Sequence, residues 1–169
     1  MSRLVLMFLL VFATSPSESR LDQLARSGKI QEDAPVKASV EVTIIASRER
    51  VWGLLTDVKN WPQWQRDITR AEISGPLQCG TQFSWTIGGT KIRSRIALVQ
   101  SLEQFAWTGT AYGAKAIHVW KLQQLPGDHT LVRTDESMDG FLLSLFYSSK
   151  ELKESDQRWL DALKQAAER

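Results

Sequence analysis

Between Asp67 and Ser137 the chain alternates apolar and polar residues with a period of two, and after Gly140 the period becomes that of a helix. The alternating runs are DITRAEIS, TQFSWTI, TKIRSRIALVQ, FAWTGTAY, KAIHVWKLQQL and HTLVRTDES. They are separated by turns at Gly88-Gly89, near Glu103, at Gly113-Ala114 and at Pro126-Gly127-Asp128. A Gly-Gly pair between alternating runs marks a hairpin, so the middle of the chain reads as an antiparallel meander. An earlier strand, SVEVTI, puts Val40, Val42 and Ile44 on one face. Ser47 then caps a short helix carrying Val51, Leu54 and Leu55, and the stretch DVKNWPQWQ follows as a second short helix or turn with Pro62 at a first helical position. Beyond the meander, Phe141, Leu145, Leu152, Trp159, Leu163 and Ala166 recur at helical spacings and predict one closing helix of about 25 residues. The economical way to bury this set is an α+β fold: a curved antiparallel sheet of about seven strands around one long C-terminal helix.

A length of 169 residues fits one such domain with a short appendage. The 21 Lys and Arg against 19 Asp and Glu are interspersed, so the chain carries no electrostatic footprint for nucleic acid and no motif for it. The unusual component is aromatic: seven Trp against two Tyr. Indoles in that number pack one core or line one pocket.

Residues 1–17 begin with Arg3, run apolar from Leu4 to Ala13 and then turn small and polar, the shape of a signal peptide. Roughly ten apolar residues span about 15 Å as a helix, half a bilayer core, so no stable transmembrane anchor is expected. The expected location is secreted or periplasmic, with the cytoplasm as the alternative. Residues 18–38 form an N-terminal extension with a short helix over Leu21 to Arg26, stopped by Gly28, and residues 39–169 form the domain. The one cysteine, Cys79, has no intrachain partner, and is expected to be a small buried or partly buried residue.

The phrases VWGLLTDVKNWPQW, Gly80-Thr-Gln-Phe, FAWTG, HVWKL and TDESMDG, in this order of elements, resemble the SRPBCC superfamily from about Val40 to the C-terminus. This is the helix-grip fold of START lipid-transfer domains, pollen allergens and polyketide cyclase/dehydrase-like proteins. The resemblance implies a hollow between sheet and helix that takes an apolar or amphipathic small molecule. It implies no single reaction, because the superfamily holds binders, carriers and enzymes.

The turns set a register. A two-residue Gly88-Gly89 loop puts Trp85 opposite Ile92 and Phe83 opposite Ser94, so that Phe83, Trp85, Ile87, Ile92, Ser94, Ile96 and Leu98 share a face. A Gly113-Ala114 loop puts Trp107 opposite Trp120. A three-residue loop Pro126-Gly127-Asp128 puts His118 opposite Glu136 and Trp120 opposite Thr134, and leaves Arg133 and Asp135 outside. The inner face is then apolar, with Trp85, Trp107 and Trp120, and carries a few polar groups: Ser94, His118, Thr134 and Glu136. Such a wall suits a small-molecule site. His118 and Glu136 are the candidates for a polar pole that orients a ligand, and for base and acid if a reaction occurs; the alternative is a satisfied core pair. Trp64 is placed at the cavity mouth and Trp61 as a structural plug. On the last helix, Ser148 and Ser155 beside Leu152 are expected to leave volume beneath it.

Two histidines and Cys79 offer no zinc cluster, no Gly-x-Ser-x-Gly elbow is present, and the glycines form neither a dinucleotide fingerprint nor a phosphate loop. Neither metal nor cofactor is expected. The expected partner is a hydrophobic or amphipathic small molecule, lipid-like or polyketide-like. The alternatives are a cofactor-independent cyclase or dehydratase in the same cavity, and a structural or interaction module whose tryptophans fill the hollow.

Overall fold

A computed structural model of the chain describes residues 19–141 and 143–169. The signal-peptide expectation for residues 1–17 therefore lies outside the described residues. After a short helix α1 (Arg20–Arg26), the strand β1 (Val36–Ile44) leads into α2 (Arg48–Thr56) and a 3-10 helix (Val58–Gln63). Six strands follow: β2 (Ile68–Ile73), β3 (Gln82–Ile87), β4 (Thr90–Gln100), β5 (Gln104–Ala111), β6 (Ala114–Leu125) and β7 (His129–Asp139). They form one antiparallel sheet in the order β1-β7-β6-β5-β4-β3-β2. The helix α4 (Ser149–Ala167) closes the concave face, so the fold is an α+β helix grip.

Two of the three hairpin registers agree with the spacing argument. Trp85 lies opposite Ile92 and Phe83 opposite Ser94, and His118 lies opposite Glu136 and Trp120 opposite Thr134. The β5–β6 hairpin differs. Its loop is Tyr112-Gly113, with φ of 48° and 83°, so Trp107 pairs with His118 and Phe105 with Trp120. Left-handed backbone at both central positions is what a two-residue hairpin turn requires, with Gly at the second. The slip is by an even number of residues, and every side chain keeps its face.

A bulge between Ile96 and Leu98 makes the second correction. One extra residue reverses the alternation, so Leu98 turns to the convex face and the following Val99 packs against the inner core. On the convex face Leu98, Ala97, Ala106, Ile117 and Val119 are covered by α1, whose Ala25 is wholly buried against them. The N-terminal extension is thereby part of the packed structure rather than a detached leader. Also on that face, Asp135 accepts hydrogen bonds from Ser39 (2.6 Å), Lys121 (3.0 Å) and Arg133 (2.9 Å). Its burial works upward on the carboxyl pKa, but these donors outweigh it and hold the group below the ordinary range.

The closing helix is shorter than its periodicity suggests. A four-residue turn of helix, α3 (Leu143–Phe146), precedes the break, and α4 starts anew with Ser148 as its N-cap. Ser148 accepts from the Glu151 backbone N–H, and Glu151 accepts from the Ser148 backbone N–H at 2.8 Å, a reciprocal capping box. Ser148 is exposed at the helix start, so it leaves no volume beneath the helix. Ser148→Ala is expected to cost about 1 kcal/mol in denaturant unfolding, whereas Ser155→Ala, inside the helix, should not reproduce a capping loss. Of the predicted stripe, Phe141 and Leu145 are exposed and Ala166 is half-buried, so Leu152, Trp159 and Leu163 are its buried members, joined by Asp156, Leu160 and Ala167. Cys79 is exposed rather than buried, with its thiol directed at the Ala97 carbonyl.

Candidate functional site

The concave face is occupied chiefly by tryptophan. Trp61 is fully buried, its ring centroid 5.1 to 5.9 Å from those of Phe83, Trp85, Trp107 and Trp159, and its indole N–H donates to the Leu55 carbonyl at 2.9 Å. Edge-on contacts of this kind add to the burial of area. Trp120 and Trp159 continue the cluster. At the β5–β6 hairpin end of the sheet a cleft of about 50 Å³ is open, lined by residues of β3 to β7. Its walls include Trp85, Ile92, Trp107, Gly109, Glu136 and Met138.

Glu136, in the wall of this cleft, belongs to a buried cluster of three titratable side chains from three elements. β6 supplies His118, β7 supplies Glu136 and α4 supplies Asp156. His118 is stacked on Trp120 and tilted against Trp107, with ring centroids 5.3 and 4.6 Å away. Its Nε2 is 2.7 Å from the Thr134 hydroxyl, its Nδ1 faces Glu136 Oε2 at 3.4 Å, and Asp156 Oδ1 lies 4.0 Å from Nε2. Burial lowers the His118 pKa to about 3, so the ring is neutral at physiological pH and can serve as both donor and acceptor. Glu136 and Asp156 are hydrogen-bonded to each other; burial and the proximity of Asp156 push Glu136 well above the ordinary carboxyl range. Burial raises Asp156 to about 7. Two carboxyls this close and this dry hold a proton between them rather than ionising together.

Tyr147 stands near this pair. Burial and the nearby Glu136 and Asp156 push its phenol up to about 12, although it hydrogen-bonds Ser155. Among the described residues, the buried Asp156 Oδ2 and Trp120 Nε1 have no hydrogen-bond partner. Each of His118, Glu136 and Asp156 offers one ligand atom within 4.8 Å of the others, a donor set of one imidazole and two carboxylates that could hold a divalent cation. His118, His129 and Cys79 alone form no such set; the carboxylates of this cluster come from β7 and α4.

Of the residues picked from sequence, Trp85, Trp107 and Glu136 line the cleft directly, and His118, Trp120 and Thr134 are buried behind it. Ser94 is also buried, and its hydroxyl accepts the Trp85 indole N–H at 3.1 Å. Phe83 is buried in the aromatic core against Trp61 and Trp107. Trp64 is not brought to the cleft: it lies in a surface groove with Glu49, Leu54 and Asn60, its ring touching Trp159. Leu152 packs in a side cluster with Val36, Ala38 and Met138. Asp156 and Tyr147 were missed. Asp156 had a signal, an acid on the buried stripe four residues after Leu152 and three before Trp159.

A curved antiparallel sheet closed by one long C-terminal helix is the START-like helix grip in outline. The sequence model of the family described as polyketide cyclase / dehydrase and lipid transport matches residues 35–168, and the chain belongs to that family, within the SRPBCC superfamily. No curated protein matches the sequence. Among solved structures, a hypothetical protein of Helicobacter pylori is similar at 20% identity, over 80% of this chain and 90% of the other, with a TM-score of 0.72. A START superfamily protein of Mycobacterium smegmatis is similar at 18% identity, over 78% and 97%, with a TM-score of 0.68. The Zhui aromatase/cyclase of Streptomyces is similar at 19% identity, over 79% and 93%, with a TM-score of 0.66. At these identities the likeness concerns the fold.

Proposed function

We propose that the protein binds an amphipathic small molecule, with the ligand's polar head against the His118–Glu136–Asp156 pole and its apolar part leaving through the β5–β6 end of the grip. The observation that carries this reading is the aromatic cleft with Glu136 in its wall: apolar surfaces converging on a few polar groups are the usual composition of a ligand site. A cleft of about 50 Å³ admits a head group and not a whole lipid. Support for a tail outside it comes from the rim. Tyr112, 90% exposed, tips the hairpin whose Ala111 and Ala114 border the cleft. Gly140 packs on Ala114, and from it the chain continues into Phe141, Leu145 and Phe146, all exposed. Large apolar side chains exposed together mark a contact surface. Among the described residues no helix is long and apolar enough to cross a membrane. With the apolar leader of residues 1–17, the proposed setting is outside the cytoplasm.

A second reading, proton-transfer catalysis on a carbonyl compound as in cyclases and dehydratases, is supported by the neutral His118 beside a carboxyl pair that holds a proton. Turnover of such a compound, abolished by His118→Ala, would favour it over simple binding.

The deciding experiment is native mass spectrometry of protein purified from its host, followed by extraction of any bound mass. A bound amphiphile is expected, and should be absent from Ala116→Leu, which fills the cleft from β6. Ligand-free protein that also fails to saturate with a fluorescent amphiphile would leave the filled-core module as the reading.

A further inference from the structure

We infer that the head group selected by this cleft is a primary organic ammonium. The inference rests on the ligand-binding reading above and specifies its chemistry. Two indoles, Trp85 and Trp107, form its aromatic walls, and Glu136 forms part of its lining with Asp156 hydrogen-bonded behind it. Indole faces attract cations more strongly than other aromatic rings do, most of all where water is excluded. The Glu136–Asp156 pair, holding one proton between its two carboxyls, supplies a single matching negative charge. An ammonium carries three N–H donors and no acceptor, and the pole offers acceptors: the Glu136 carboxyl in the lining and, behind it, the buried Asp156 Oδ2, which has no hydrogen-bond partner among the described residues. A carboxylate or phosphate head would meet the acids at close range instead. The size also fits, since a cleft of about 50 Å³ accepts an –NH₃⁺ group with its first methylene and excludes bulkier heads. The basic residue at the opening, Lys115, is exposed on the rim and lies opposite Asp139 across the β6–β7 ladder.

Octylammonium, octanol and octanoate differ only in the head, and their binding to chelator-treated full-length protein can be compared by calorimetry and by tryptophan emission. Octylammonium is expected to bind about tenfold or more tightly than octanol, with octanoate weakest. Asp156→Asn and Glu136→Gln made together, which alone removes the charge of the pair, should bring the ammonium to within about twofold of the alcohol while leaving octanol binding in place. Equal binding of ammonium and alcohol to the wild type, or a preference for octanoate, would overturn the inference and leave the cleft as a neutral binding site. Failure of all three to bind would remove the ligand-binding reading along with it.

Discussion

Trp61→Ala is expected to lower the unfolding free energy by about 3–5 kcal/mol, with a melting temperature lower by on the order of 10 °C. The residue has no exposed surface, and its ring touches Phe83 and Trp85 on β3, Trp107 on β5 and Trp159 on α4. Its indole N–H is also the partner of the Leu55 carbonyl at the end of α2. Removal therefore opens a cavity and orphans a buried acceptor in one step. The surrounding rings cannot close the gap easily, because each is itself held by the sheet or by α4. Equilibrium unfolding in urea, followed by far-ultraviolet circular dichroism, measures this directly. A loss below about 1.5 kcal/mol would mean that the cluster is not the keystone of the grip. Trp64→Ala, at a half-buried ring on the groove side, should cost distinctly less.

Asp156→Asn should stabilise the protein at high pH and do so less as the pH falls. The native state raises this carboxyl from 3.8 to about 7, so it favours the protonated form. The stability linked to that preference is fully present below pH 3.8 and is lost as the pH climbs through about 7. A shift of that size corresponds to about 4 kcal/mol above pH 7, at 1.36 kcal/mol per unit. Glu136 is raised for the same reason and works in the same sense. His118 works the other way: its pKa falls from 6.5 to about 3, so its contribution is present above pH 6.5 and lost toward pH 3. Because His118 offsets one carboxyl in acid, the wild-type curve alone conceals the titration. The difference between Asp156→Asn and wild type reports the coupled carboxyl pair, because the variant also relieves Glu136, and should grow between about pH 4 and pH 7. Asparagine's own hydrogen-bonding cost displaces the whole difference curve without changing its slope. A flat difference from pH 4 to pH 8 would show that Asp156 ionises in the folded protein as it does in water.

The grip was legible in the sequence because its signals are periodic. Alternation located the strands, glycine pairs located the turns, and the register placed His118 opposite Glu136 before any coordinates. Where the reading departed from the structure, a single residue broke the period. The bulge after Ile96 reversed Leu98 and Val99, and a tyrosine in left-handed backbone moved one loop by a position. Neither is visible in composition, since both depend on how neighbouring strands bend. Ser148 is a different case. Serine followed by glutamate three residues on is a helix-start signal, and it competed with a longer apolar stripe that runs on either side of the break. The carboxyl pair was half visible. Glu136 follows from hairpin geometry, whereas Asp156 needs the rotation of α4 over the sheet, and pairing rules do not supply that.

The tryptophan cluster also sets what light can report. Trp61, Trp64, Trp85, Trp107, Trp120 and Trp159 form one chain of ring contacts, each step between 5.1 and 5.9 Å. At such separations the indoles exchange excitation faster than they emit. Fluorescence from this protein is therefore a property of the network, and no single substitution will assign it to one ring. The same coupling gives exciton bands in circular dichroism that depend on the mutual angles of the rings. Those bands follow the closure of helix on sheet, while the amide signal follows the backbone of the helices and strands themselves.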